Sequence, residues 1–217
     1  MLTRVLSGVV LIAAVLGIVW LLPPMATGAL IVVVLMIARN EFARLTARSL
    51  AGLAPVLRYI LLGAAFLAYV MIPLVFVYNI RTVHGPGVVM ILFGLIVVSD
   101  SAQYFVGRAF GRHKLAPVIS PKKTIEGAVG GAVFGAIAGV ALSQIWLPAV
   151  SPVAAALVSL LMAIAGMAGD LFESALKRRA GLKDSGNLIP GHGGILDRID
   201  SWLFAAPVFW VFLRVWA

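Results

Sequence analysis

The sequence contains no cysteine and few charged residues. Without cysteine, the chain can form neither a disulfide framework nor a thiolate metal site. Charged residues make up 12% of the chain and hydrophobic residues 62%, and the mean hydropathy is +1.09. A soluble domain needs polar residues over its water-facing surface, so this composition excludes that class of protein. We therefore expect an integral membrane protein.

Apolar segments recur along the chain at the length that a helix needs to cross the hydrocarbon core, about 20 residues. The candidate spans are residues 5–22, 25–38, 56–78, 87–106, 125–146, 153–172 and 199–216. The second is short, and residues 39–45 can extend it along the interface because Arg side chains snorkel. We predict an all-α fold, a polytopic transmembrane helical bundle of about seven spans. Residues 1–217 form a single membrane domain in this interpretation.

The net charge of +9 has two possible explanations. The basic residues could bind a nucleic acid, or they could hold the cytoplasmic loops of a membrane protein on the inner side. Nucleic-acid surfaces interleave basic and aromatic residues, and no basic run here does so, which predicts no nucleic acid. With the N-terminus in the cytoplasm, 15 of the 17 Lys and Arg residues face the cytoplasm, and only Arg81 and Arg214 lie outside. This split follows the positive-inside rule. A signal peptide is the alternative for the first span, but no convincing cleavage site ends it, so we expect a retained helix.

Carboxylates are costly at membrane depth and mark function there. Of the eight acids, only Glu41 lies apart from two blocks that flank basic loops. The blocks are Asp100 with Glu126, and Asp170, Glu173, Asp184, Asp197 and Asp200. Both open on the side assigned to the cytoplasm, where nucleotides are found.

The second block begins on a helix face. Asp170, Glu173, Ser174 and Lys177 are spaced i, i+3, i+4 and i+7, so they share one side of the helix. An ordinary basic helix end explains Lys177 but not the deeper Asp170. Asp170 and Asp197 would converge from two helices and suit Mg²⁺, which takes one or two carboxylates plus waters and phosphates. Internal ion pairing with a lysine is the alternative, and such a pair can also hold an empty site.

Two loops could bind anions. Residues 181–194 are rich in glycine, which suits either a phosphate cradle or a turn between two helices. His192 lies among glycines that leave it little to pack against. Lys122 and Lys123 precede Thr124, which is a candidate cap for the helix beginning at residue 125. A polyphosphate would bind there, and a juxtamembrane lipid anchor is the alternative.

Residues 174–200 resemble the signature of the phosphatidate cytidylyltransferases, also called CDP-diacylglycerol synthases. The matching residues are Ser174-Ala-Leu-Lys177-Arg178, Lys183-Asp184 and Pro190-Gly-His192-Gly193-Gly194-Ile-Leu-Asp197-Arg198-Ile-Asp200. Residues 100–104, the Gly-Arg pairs at 107–108 and 111–112, and Ser120-Pro-Lys-Lys-Thr-Ile-Glu-Gly127 are also similar to the family. The resemblance is strong over residues 99–207, which we take as the catalytic region, and weaker over the N-terminal helices in residues 1–98.

The resemblance implies that CTP and phosphatidate react to give CDP-diacylglycerol and pyrophosphate, with Mg²⁺ as cofactor and a monovalent cation such as K⁺ beside it. It implies a homodimer in the inner, cytoplasmic membrane with its active site facing the cytoplasm. Asp170 and Asp197 match the metal ligands. The candidate catalytic residues are Ser174, Lys177, Arg178, Lys183, His192 and Arg198. The candidate substrate-binding residues are Asp100, Lys122, Lys123, Glu126, Gly193 and Gly194.

One departure from the family pattern concerns the N-terminal half. Family members commonly carry more hydrophobic segments before the Asp100 region than this chain does. Two rival interpretations remain. A CTP-dependent lipid kinase or another lipid-phosphate transferase would share the nucleotide, and a small ion-coupled transporter would use intramembrane acids as a relay.

Overall fold

The computed structural model describes residues 13–47, 50–188 and 193–216. Its first helix, α1, is described over residues 13–21. The elements that follow are α2 (Pro24–Thr46), α3 (Pro55–Phe66), a π-helical turn (Leu67–Met71), α4 (Ile72–His84), α5 (Pro86–Phe110), β1 (Lys114–Ala116), β2 (Ser120–Thr124), α6 (Ile125–Trp146), α7 (Pro152–Ala180) and α8 (Leu196–Trp216). Four helices, α2, α3, α5 and α7, begin with proline, whose missing N–H and fixed φ suit the first helical position.

Six helical segments of the described residues are long and apolar enough to cross a membrane. They are Pro24–Thr46, Pro55–His84, Pro86–Phe110, Ile125–Trp146, Pro152–Ala180 and Leu196–Trp216. The predicted polytopic helical bundle is therefore confirmed. The remaining predicted span, residues 5–22 at the start of the chain, lies largely outside the described residues. Its described part is helical. The short second span does continue through residues 39–45, as predicted.

A short antiparallel hairpin, β1–β2, interrupts the helical pattern between α5 and α6 and was not predicted. Lys114 pairs with Thr124 and Ala116 with Ser120, with an irregularity between the two pairs. Strands this short carry too few residues for a period-2 pattern to be visible in the sequence. The hairpin leads directly into α6, where the Thr124 hydroxyl accepts the N–H of Gly127 at 3.1 Å. The predicted helix cap at Thr124 is confirmed.

Helices α5 and α6 pack closely because one face of α6 is made of glycine. Gly127, Gly130, Gly131, Gly135 and Gly139 are all buried. A Cβ atom on Gly131 would lie 2.9 Å from the carbonyl oxygen of Ser99 in α5, so only glycine permits this approach. Small residues allow such close contact between membrane helices, where packing rather than water exclusion drives association. This contact holds the C-terminal end of α5 beside the start of α6.

Replacing Gly131 by alanine is expected to destabilise the protein by about 1–3 kcal/mol, because the methyl group must push α5 and α6 apart. The matched control is Gly63→Ala in α3, where a Cβ would meet nothing within 4 Å. That control should leave stability unchanged or slightly raised, since alanine favours helix more than glycine. The thermal midpoints of both purified variants in detergent check this. Equal midpoints for the two variants would contradict the close-packing account.

The opposite end of the bundle holds the two cations predicted to lie outside. Arg81 is 7% exposed and donates through Nε to the carbonyl of Val19 at 2.8 Å and through Nη2 to that of Leu22 at 3.0 Å. It thereby satisfies carbonyl groups at the end of α1, which have no partner within the helix. Arg214 stacks over the Trp210 ring, 5.2 Å from its centroid. These contacts stabilise the end of the molecule that lies away from the acidic blocks.

Candidate active site

A polar cavity of about 710 Å³ lies where the C-terminal ends of α5 and α7 meet β2 and the N-terminal ends of α6 and α8. Its size is within the range of small-molecule sites in proteins. It is lined by Asp100, Gln103, Tyr104, Gly107, Arg108, Lys122, Lys123, Thr124, Gly127, Ala128, Asp170, Lys177, Asp184, Asp197, Arg198, Asp200 and Ser201. Acids from both predicted blocks, together with Lys and Arg residues of the adjacent loops, thus line one cavity at one end of the bundle.

Two lysine–aspartate pairs cross this cavity. Lys123 Nζ lies 2.5 Å from Asp170 Oδ2, and Lys177 Nζ lies 2.5 Å from Asp197 Oδ1. The second pair is largely buried, with 12% and 7% of the two side chains exposed. Internal ion pairing with a lysine, which the sequence offered as the alternative to metal binding, is therefore present at both aspartates.

The predicted polar face of α7 is also present. The Ser174 hydroxyl lies 3.4 Å from Asp170 Oδ1, one turn away. Lys177 Nζ lies 3.4 Å from Glu173 Oε2, and the Glu173 side chain is completely buried. Both Glu173 oxygens lack a hydrogen-bond partner among the described residues. Glu173 thus places a fully buried carboxyl group beside Lys177, beneath the cavity.

Asp197 is held in place by the turn that precedes α8. Its Oδ2 accepts the backbone N–H of Ser185 at 2.9 Å, the Ser185 hydroxyl at 2.9 Å and the N–H of Gly194 at 2.8 Å. Gly193 has a φ of 83°, and a Cβ there would lie 2.6 Å from Asp197 Oδ2. The described part of this glycine-rich segment therefore surrounds a carboxylate of the protein itself. Oδ1 remains directed at Lys177.

The candidate residues from the sequence divide by location. Those that line the cavity are Asp100, Lys122, Lys123, Asp170, Lys177, Asp197 and Arg198. Those outside its described lining are Ser174, Arg178, Lys183, Glu126, Gly193 and Gly194. Arg178 instead donates to the carbonyls of Ile119 and Leu182, at 3.3 and 3.2 Å. His192 lies outside the described residues, so its role stays a prediction.

Glu126 contacts the connection between α5 and β1 and does not line the cavity. Its carboxylate lies 2.6 Å from His113 Nδ1 and accepts the N–H groups of Arg112 at 3.1 Å and His113 at 3.2 Å. This geometry fixes the connection between α5 and β1. Its predicted contribution to substrate binding stays a prediction, and the contacts favour a structural role.

Changing Glu126 to glutamine is expected to lower the thermal midpoint but to leave kcat/KM near the wild-type value, because Glu126 holds backbone N–H groups and does not line the cavity. The amide cannot accept every hydrogen bond that the carboxylate accepts, so the connection between α5 and β1 is held less firmly. Parallel thermal and kinetic measurements on the purified variant check this. A loss of kcat/KM of two orders of magnitude without a change in midpoint would instead support the assignment made from the sequence.

The donor set of the cavity fits Mg²⁺. No group of three or more His, Cys, Asp or Glu side chains positioned to hold a metal occurs in the described residues. Mg²⁺ does not require one, because it is commonly bound by one or two carboxylates together with waters and substrate phosphates. Asp170 and Asp197 both line the cavity, and each already faces a cationic ammonium group.

The sequence matches the model of a family described as the cytidylyltransferase family over residues 54–216. This match covers the helices that build the cavity and most of the chain. The chain belongs to the cytidylyltransferase family. The membership confirms the resemblance that the signature in residues 174–200 indicated.

Relatives in this family are similar over most of the chain. A phosphatidate cytidylyltransferase of Bacillus subtilis is 40% identical over 159 residues, which are 71% of this chain and 59% of the relative. A phosphatidate cytidylyltransferase of Staphylococcus haemolyticus is 41% identical over 169 residues, 72% of this chain and 61% of the relative. The uncharacterized protein YnbB of Escherichia coli is 46% identical over 130 residues, 60% of this chain and 43% of that protein. The chain thus spans about three fifths or less of each relative's length.

Proposed function

We propose that this protein is a phosphatidate cytidylyltransferase, which converts CTP and phosphatidate to CDP-diacylglycerol and pyrophosphate. The observation that carries the proposal is the cavity in which the paired lysines and aspartates of β2, α7 and α8 converge. Its family and its similarity to relatives named for this activity support the same conclusion.

The reaction joins two anions, so the main task of the site is to neutralise charge and to position the phosphates. A phosphate oxygen of phosphatidate attacks the α-phosphorus of CTP, and the bond from that phosphorus to the oxygen bridging to the β-phosphate breaks. Pyrophosphate leaves with the bonding electron pair. The phosphate monoester of phosphatidate is already ionised near neutral pH, so the step needs no strong general base. Orientation and electrostatics therefore dominate, as in other phosphoryl transfers.

The residues of the cavity supply these functions. Lys122 and Arg198 line the cavity and are exposed to it, which suits them to bind phosphate oxygens. Lys123 and Lys177 neutralise Asp170 and Asp197, and both line the cavity, where their ammonium groups would also bind phosphate oxygens. Asp170 and Asp197 would hold Mg²⁺, which, when bound, neutralises the phosphates of CTP and favours the departure of pyrophosphate.

We also propose the membrane in which the protein lies and the side that its site faces. The basic residues at the cavity end favour a cytoplasmic orientation in the bacterial inner membrane, where CTP is available. Phosphatidate would reach the cavity from the cytoplasmic leaflet. A homodimer remains part of the proposal on the family resemblance.

A double-label assay tests the reaction. Purified protein in mixed micelles receives phosphatidate, Mg²⁺ and CTP labelled with ³²P at either the α or the γ position. We expect the α label in the lipid phase and the γ label in water-soluble pyrophosphate. A γ label in lipid would instead identify a CTP-dependent kinase and contradict the proposal.

A further inference from the structure

Glu41 is a buried carboxylate in α2, with only 4% of its surface exposed. It belongs to the N-terminal half of the chain, which contributes no residue to the described lining of the cavity. Burial of a carboxylate is costly unless donors satisfy it. Three donors do so, all from residues far along the chain: Ser185 Oγ at 2.8 Å and the N–H groups of Ile195 and Leu196 at 3.0 Å each.

Two of these donors form the start of α8. Leu196 is the first residue of that helix, and the N–H groups of a first helical turn have no acceptor within the helix. Glu41 supplies the acceptors and adds a negative charge at the positive end of the helix dipole. Asp197 is the next residue. A change at Glu41 therefore acts on the turn that carries the candidate metal ligand.

The third donor links the two carboxylates directly. Ser185 Oγ lies 2.8 Å from Glu41 Oε2 and 2.9 Å from Asp197 Oδ2. A hydroxyl has one proton, so it can donate to only one of them at a time. Asp197 Oδ2 also accepts the N–H groups of Ser185 and Gly194. Glu41 can therefore accept the hydrogen bond from the Ser185 hydroxyl while Asp197 Oδ2 keeps two other donors.

The neighbouring glycines make room for this arrangement. A Cβ on Gly186 would lie 2.6 Å from Glu41 Oε1, and a Cβ on Gly194 would overlap both Ser185 Oγ and Glu41 Oε2. Two glycines of the loop therefore leave space for a side chain that comes from α2. A side chain at either glycine would collide with the Glu41 carboxylate. The close approach of Glu41 therefore explains both glycines without a substrate phosphate.

We infer that Glu41 is a positioning residue: it fixes Asp197 for cation binding through Ser185 and the first turn of α8. The inference rests on the proposed function in taking Asp197 as the Mg²⁺ ligand. Glu41 does not line the cavity, so it would not contact the cation directly. Groups that orient a metal ligand commonly change metal affinity by 10–100-fold when they are removed.

The first test measures Mn²⁺ binding to the substrate-free, full-length protein in detergent by electron paramagnetic resonance, since Mn²⁺ accepts the same oxygen ligands as Mg²⁺. Glu41→Gln should weaken binding by about tenfold or more. The matched control is Arg81→Met, which also removes a buried charge that holds the end of a helix, but at the opposite end of the bundle. That variant should bind Mn²⁺ as the wild type does, even where its thermal midpoint falls.

Ser185→Ala and the double variant with Glu41→Gln test the shared path. Because both residues act on Asp197 together, we expect the double variant to lose no more affinity than the weaker-binding single variant. Wild-type affinity in Glu41→Gln, equal weakening in Arg81→Met, or undiminished binding by Asp197→Asn would each overturn the inference.

A kinetic readout separates this inference from the proposed function. In the transfer assay, Glu41→Gln should raise the Mg²⁺ concentration for half-maximal rate, while the KM for CTP at saturating Mg²⁺ stays near the wild-type value. A rise in KM for CTP with unchanged Mg²⁺ dependence would overturn the positioning role. Wild-type protein that binds Mn²⁺ in a Glu41-dependent manner, yet transfers no label to lipid, would contradict the proposed function and leave this inference intact.

Discussion

Asp197→Asn is expected to lower turnover by about a thousandfold or more while the protein remains folded and inserted in the membrane. Lewis-acid stabilisation by a bound cation contributes several kcal/mol, and each 1.36 kcal/mol changes a rate tenfold. The substitution keeps the size of the side chain but not its charge. Because two backbone N–H groups donate to Oδ2, the new amide must turn its NH₂ group toward Lys177. There, two hydrogen-bond donors face each other with no acceptor between them.

The matched control for this variant is Asp184→Asn, an isosteric change at an exposed carboxylate of the same cavity. It should cost less than about tenfold, since it removes charge without removing the buried aspartate that the turn holds in place. Initial rates at saturating CTP and thermal midpoints of both variants check this. Near-normal turnover by Asp197→Asn would remove Asp197 from the metal site.

Lys177→Met is expected to give the largest loss of stability among the cavity variants. The ammonium group lies 2.5 Å from Asp197 Oδ1 and 3.4 Å from Glu173 Oε2. Removing one partner of a buried ion pair leaves an uncompensated charge and costs about 3–5 kcal/mol. Turnover should fall as well, because a cation that neutralises the phosphates is lost. Thermal unfolding in detergent and initial rates measure the two effects.

A compensating variant separates those effects. Lys177→Met combined with Glu173→Gln also replaces the buried carboxyl group that faces Lys177. Replacing both partners of a buried polar contact costs less than removing one, so the double variant should recover part of the lost stability. Its turnover should remain at least about a hundredfold below wild type, the scale found for removing one preorganised charge-stabilising donor. If turnover returns together with stability, Lys177 serves the fold and not the reaction.

The membrane spans and the polar face of α7 could be predicted from the sequence because both depend on local periodicity. Apolar length gave the spans, and the i, i+4 spacing brought Ser174 to Asp170 and Lys177 to Glu173. The signature in residues 174–200 indicated the family for a similar reason, since its residues are nearly contiguous.

Contacts between distant segments could not be predicted in the same way. Glu41 was set apart from the two acidic blocks, whereas it lies against Ser185 and the start of α8, more than 140 positions later. No periodicity records which helix approaches which loop. The only signal was its charge, because a lone acid in an apolar helix must find buried donors.

The glycine-rich loop and Glu126 show a second limit. Glycine content predicts that something approaches the backbone closely, but not whether that group is a ligand or a side chain of the protein. At Gly186, Gly193 and Gly194 the neighbouring groups are the carboxylates of Glu41 and Asp197. At Glu126 the sequence indicated a charged residue beside a basic loop, and only the structure shows that it holds the backbone of Arg112 and His113.

The most direct measurement of the central claim reconstitutes this chain alone into phosphatidylcholine vesicles that contain phosphatidate. It follows labelled lipid from α-³²P-CTP and, in a parallel sample, labelled pyrophosphate from γ-³²P-CTP. The account predicts one pyrophosphate for each labelled lipid, loss of both products on chelation of divalent cations, and recovery on adding Mg²⁺. No labelled lipid from folded, inserted protein, or lipid labelling that persists under chelation, would contradict it.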